Sequence, residues 1–211
     1  GATCDLCVEY LPTAVTAPAP NDAGTVEVSY FDGLNPQTAS RNMTAIAVTK
    51  ATLTITPIQP FNFGTQATNS STTHTYQIDN TGQTPATGLV ASGFGGTPFS
   101  LTGVDIGGCP TTIAPGGSCT MSVTFNPTTS AAFSENLTIT YNDGVIPNET
   151  LVQNFLGNSA DPANLVYTLA LYDFGNSPVG SPTIMNVTVT NGGGVPATAL
   201  SGGGLDPPFS F

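Results

Sequence analysis

The chain repeats itself, and that constrains its fold more than any local pattern does. "YFDG" at Tyr30–Gly33 returns as "YNDG" at Tyr141–Gly144, and Pro36 then falls on Pro147 at the same offset of 111 positions. "NFGTQ" from Asn62 returns as "DFGNS" from Asp173. "DNTGQTPAT" returns as "TNGGGVPAT", so that Asn80 falls on Asn191, Gly82 on Gly193 and Pro85 on Pro196. "TPFSL" at Thr97–Leu101 matches "PPFSF" at Pro207–Phe211, and aligning Cys4 with Cys119 puts Val8 on Val123, Tyr10 on Phe125 and Pro12 on Pro127. A fixed period of this kind means one structural unit used again. Residues 50–160 are then one complete repeat. Residues 1–49 copy its back half, and residues 161–211 copy its front half.

Within the repeat the strand signals dominate. "ATLTITP", "THTYQID", "TGLVASG", "PFSLTG", "CTMSVTF", "ENLTITY" and "ETLVQNFLG" are short, rich in β-branched and aromatic residues, and separated by Gly, Pro, Asn and Asp. No stretch carries a helical apolar stripe. Seven such strands in about 110 residues predict a two-sheet sandwich. The fold class is therefore all-β: tandem immunoglobulin-like seven-stranded β-sandwiches, one complete and two half domains. With the strands lettered A to G, the opening segment predicts E (around Cys4–Leu11), F (around Thr25–Tyr30) and G (around Asn42–Thr49). The closing segment predicts A (around Leu165–Leu171), B (around Thr183–Thr190), C (around Ala197–Ser201) and D (Pro208–Phe211).

Composition narrows the function classes. Hydrophobic residues make up 39% of the chain, enough for a core, while charged residues are only 7%. The net charge is −11, with Arg41 and Lys50 the only fixed cations. Phosphate backbones are held by Lys and Arg, so nucleic acid is excluded as an expected partner, and an anionic membrane surface is disfavoured for the same reason. No apolar run approaches the ~18 residues of a membrane-spanning helix, so no membrane insertion is expected. The opening "GATCDLC" has neither the basic nor the apolar region of a secretory leader. A leader has been removed, or the chain is a fragment.

Several pieces together resemble the bacterial choice-of-anchor D repeats, which belong with the ASPM–SPD-2–Hydin (ASH) immunoglobulin-like domains. They are the "FG" of "FNFGTQ", the "NTG" after strand B, the "C…APGGSC" and the "VTFNP". The resemblance covers the central repeat fully and both halves partly. It implies a sandwich in large secreted or surface proteins, usually in tandem, and no catalytic residues. It places the chain outside the cell or on its surface.

Extracellular chains keep disulfides. Cys109 and Cys119 bracket "PTTIAPGGS", and a bridge between them would pin the D–E loop, worth typically about 2–4 kcal/mol. Cys4 matches Cys119, but no counterpart of Cys109 precedes it. A Cys4–Cys7 bridge is a second candidate. One His and no second CxxC make zinc a poor expectation. His74 is the sole histidine and could act as a base only beside an activated nucleophile. Its repeat partner is Met185, which marks a packing position. The Asp32–Gly33 and Asp143–Gly144 pairs suit tight turns, and no D-x-D-x-D run suggests calcium. "GFGG" and "GGGVP" lack the strand-to-helix context and Lys of a phosphate loop. Sequons stand at Asn42, Asn69, Asn136, Asn148 and Asn186. They matter only if the source glycosylates.

These readings predict a protein that is not an enzyme, needs no cofactor, and has itself as partner. Two half sandwiches expose apolar faces and open strand edges. Completion between chains, head to tail, would grow a filament. In that joint Val8, Tyr10, Val26 and Val28 of one copy face Val187, Val189, Leu200 and Phe209 of the next. The runner-up is a piece of a long tandem adhesin or stalk. Phe211 aligns with Leu101 and Gly1 with Gly116, so only residues equivalent to 102–115 are missing between one end and the other. A binding module acting through its loops is a third reading, weakened by the absence of Trp. A host or cell-surface ligand is left unassigned.

Overall fold

The computed structural model describes residues 3–16, 21–58, 60–96, 98–103 and 105–211. Gly1, matched above to Gly116, and Thr97 of "TPFSL" lie outside them. Every regular element among the described residues is a strand.

The N-terminal half is a hairpin. β1 (Asp22–Phe31) pairs antiparallel with β2 (Pro36–Ala45) through ten rungs, from Asp22↔Ala45 to Phe31↔Pro36. These are strands F and G, with G starting six residues earlier than its alternation suggests. The turn is held by Asp32, whose Oδ1 accepts from the amides of Leu34 (2.8 Å) and Asn35 (2.7 Å).

The central repeat builds two packed sheets. The four-stranded sheet runs β3 (Leu53–Thr56), β5 (Thr72–Asn80), β9 (Ser118–Phe125), β7 (Phe99–Thr102). The five-stranded sheet runs β4 (Phe61–Ala67), β11 (Glu149–Ala160), β10 (Ala132–Asn142), β6 (Ala86–Ser92), β8 (Thr112–Ile113). Alternation explains the packing. In β9 Met121, Val123 and Phe125 are buried, while Thr120 is exposed and Ser122 and Thr124 half-exposed. The inner faces meet in one cluster that includes Tyr76, Ile78, Leu89, Phe99, Val123, Phe125, Leu137, Ile139 and Phe155.

Two elements went unread in the sequence. Strand A is split. β3 pairs antiparallel with β5, and the chain then crosses to the other sheet, where β4 pairs in parallel with β11 from Phe61↔Phe155 to Ala67↔Ala160. Gly64 at φ 74° interrupts the alternation of β4, which is why its pattern does not look like a strand. The two-residue β8 is too short to carry a pattern at all.

The C-terminal half holds only β12 (Leu165–Tyr167) and β13 (Val189–Asn191), paired antiparallel over three rungs. This corrects several expectations. A and B are present but much shorter than Leu165–Leu171 and Thr183–Thr190. Cys4–Leu11, Ala197–Ser201 and Pro208–Phe211 form no strand. The reason is the partner of each. In the complete domain E lies between B and D, D pairs only with E, and C pairs with F. A strand exists only as part of a ladder. F pairs with G in the same half, and A with B, so those form. E, C and D have their partners in the opposite half of the chain, so they do not.

Candidate functional site

The same side chains fix the same corners in each copy. At the end of β5 Asn80 is 1% exposed. Its Oδ1 accepts from the amides of Thr52 (3.2 Å) and Gly82 (3.0 Å), and its Nδ2 donates to the carbonyl of Thr84 (2.8 Å). At the end of β13 Asn191 accepts from the amides of Asn164 (3.0 Å) and Gly193 (3.0 Å) and donates to the carbonyl of Val195 (2.8 Å). Gly82 is required there because a Cβ would stand 2.1 Å from the Lys50 carbonyl oxygen. At Gly193 it would stand 2.0 Å from that of Pro162. The "NTG" piece of the sequence is thus a side-chain clamp joining strand A to the end of strand B.

The eight residues named for assembly hold positions that the complete repeat buries in its core. Val8, Tyr10 and Val28 are 51%, 46% and 45% exposed, and Val26 is half-buried. Val187, Val189, Leu200 and Phe209 are exposed. Their counterparts by repeat position are Val123, Phe125, Ile139 and Leu137, then Tyr76, Ile78, Leu89 and Phe99. All eight counterparts are no more than 2% exposed and belong to one cluster. Val26 and Val28 share one face of β1, Val189 opens β13, and the other five lie outside any strand. A fragment of the core is already assembled: Phe174 stands 5.6 Å from Phe209, as Phe63 stands 5.8 Å from Phe99. Tyr10 has found a partial substitute for a core, its hydroxyl donating to the Asp22 carboxylate. That bond raises its pKa above the ordinary phenol value.

The Cys109–Cys119 disulfide is present, with Cα atoms 5.3 Å apart, and it ties the D–E loop to β9. Its replacement by two serines is expected to lower the unfolding free energy of the central domain by about 2–4 kcal/mol. A denaturant titration that shows no change would remove the staple from the account. Cys4 and Cys7 are free and exposed, which corrects the candidate bridge between them. His74 is half-buried on β5, its ring 4.2 Å from Phe61 and 4.9 Å from Tyr76. Its buried Nδ1 has no hydrogen-bond partner.

Sequence reasoning passed over Lys50. Its Nζ sits 2.7 Å from Asp143 Oδ2 and 3.4 Å from Glu149 Oε2, at the point where the chain enters the complete domain. The signal was present, in that one of only two cations stands at a repeat boundary.

Residues 35–153 match the model of the HYDIN/CFA65/VesB-like Ig-like domain, which is more than half of the chain. The chain belongs to that family. Among solved structures, this Ig-like chain is similar to the ASH/PapD-like domain 7 of human CEP192, at 17% identity and a TM-score of 0.41, covering 55% of this chain and 88% of that one. It is also similar to the VesB protease of Vibrio cholerae, at 15% identity and a TM-score of 0.41, covering 52% of this chain and 32% of that one. A protein of unknown function from Porphyromonas gingivalis W83 matches at 13% identity and a TM-score of 0.40, with 66% of each chain covered. No curated protein matches.

Proposed function

We propose that this Ig-like chain is a non-enzymatic structural subunit of an extracellular filament, polymerising head to tail as the E–F–G half of one copy completes the A–D half of the next. One observation carries the reading. Each half leaves exposed or half-buried the residues whose counterparts the complete domain buries, and each half carries the sequences of the strands that the other lacks. Completion restores the B–E, E–D, C–F and parallel A–G ladders and closes a sandwich core. Ladders supply affinity and core pockets supply register. The contact joins two different surfaces, so it propagates. The disulfide suits an oxidising compartment and supports a place outside the cell.

The test is the mass and shape of the purified chain by light scattering and negative-stain imaging. Filaments, or a ladder of oligomers that survives dilution, are expected. A monomer with one folded domain and two frayed ends would overturn self-assembly and favour completion by neighbouring segments of a longer adhesin or stalk.

A further inference from the structure

In the complete domain a cation locks the corner between β10 and β11. The Asp143 side chain is fully buried. Its Oδ1 accepts from the amides of Val145 (2.8 Å) and Ile146 (2.6 Å), and its Oδ2 meets Lys50. The Lys50 hydrogen bond, then the backbone amides, hold its carboxyl at about 2 in spite of burial. The backbone closes the corner: the Ala51 amide donates to the Asp143 carbonyl (2.9 Å), and Thr84 Oγ1 donates to the carbonyls of both Asp143 (3.0 Å) and Thr49 (3.4 Å).

The same corner can be followed residue by residue into the two halves. Asp32 stands for Asp143, with Leu34 and Asn35 as its amide donors, and Gln37, which donates to its Oδ2, pairs with Tyr30 across the hairpin as Glu149 pairs with Tyr141. On the other half, Gly193 abuts Pro162 as Gly82 abuts Lys50. The Gly194 amide donates to the Asp161 carbonyl (2.9 Å) as the Gln83 amide donates to that of Thr49 (3.2 Å). Pro162 therefore occupies the position of Lys50, Asp161 that of Thr49, and Val195 that of Thr84.

On the strength of the assembly proposed above, we infer that each joint buries Asp32 of one copy against Asp161–Ala163 of the next with no cation in the corner, so that joining takes up a proton and acid favours it. The groups around Asp32 are few. Its own hairpin offers Gln37 and no charge within the turn. The incoming strand offers the Asp161 carboxylate. The loops 68–71 and 126–131 beside Ala160 carry no charged residue. Arg41 is four residues along β2 from Gln37, roughly 13 Å away along the strand. In the free chain Asp32 is exposed, and the Asn35 and Leu34 amides hold its carboxyl below the usual range. Burial beside a second carboxylate favours the neutral form. A group that binds a proton more tightly in the joint makes the association constant rise as pH falls, by up to about tenfold per unit.

The experiment measures the critical concentration for assembly between pH 7.5 and 5.0, above the sequence pI of about 4.1. The full chain is compared with Asp32→Asn, Pro162→Lys and a charge-matched control, Asp105→Asn, placed in an exposed loop of the central domain. Asn keeps the acceptor that the two turn amides need, so the hairpin stays formed. The wild-type value is expected to fall steeply toward acid. Asp32→Asn flattens that slope, Pro162→Lys lowers the value at neutral pH by roughly tenfold, and Asp105→Asn tracks the wild type. A slope retained by Asp32→Asn, or lost equally in the control, overturns the inference. So does pH-independent assembly, which leaves the filament standing. A chain that stays monomeric at every pH overturns both.

Discussion

A Val28→Asp chain is expected to remain a folded monomer at concentrations more than about a hundredfold above those at which the wild type assembles. In the separate subunit Val28 is 45% exposed on β1, opposite Ala39. A carboxylate there meets water and leaves the hairpin and the central domain alone. In the proposed joint the same position would be that of Ile139, 2% exposed in the main core cluster of the complete domain. An unpaired charge buried there costs several kcal/mol, and each 1.4 kcal/mol is a factor of ten in association. The substitution therefore acts on the joint alone. Light scattering gives the critical concentration, and an unchanged unfolding curve shows that the central domain is intact. Filaments formed at the wild-type concentration would mean that β1 does not enter a shared core.

The second large effect is on the domain itself. Asn80→Ala is expected to lower the unfolding free energy of the central domain by about 2–4 kcal/mol, because it removes one buried side chain that serves two amides and the carbonyl of Thr84. Gly82 is buried, so its amide is left without the acceptor it had in Asn80. A denaturant titration measures the loss. A change below about half a kcal/mol would reduce the clamp to a decoration of an otherwise self-sufficient turn.

Legibility in the sequence followed the range of the interaction. The turns at Asp32 and Asp143, and the bonds of Asn80 and Asn191 to the residues just after them, use atoms within a few residues of one another, and repetition made them visible as motifs, whereas the bonds of the same two side chains back to Thr52 and Asn164 needed the fold. The buried faces of β5, β9 and β10 were legible because alternation is local. Ladders are not local. Cys4–Leu11 has the residues of β9, yet it forms no strand, because its two neighbours belong to the far half of the chain. β4 was hidden for the opposite reason: its partner β11 is present, but Gly64 breaks its alternation. The Lys50–Asp143 pair joins residues 93 positions apart, and only the fold reveals it.

The crossing of strand A between sheets also governs how the complete domain carries load. The chain enters through β3 and β4 and leaves through β11, and β4 and β11 are hydrogen-bonded side by side, in parallel. Tension applied to the two ends pulls these neighbours past one another along their common axis. The bonds of the β4–β11 ladder then resist together, whereas a hairpin pulled at its open end surrenders them singly. A thread of such units, with every joint closed by the same parallel pair, would meet drag as a row of shear clamps.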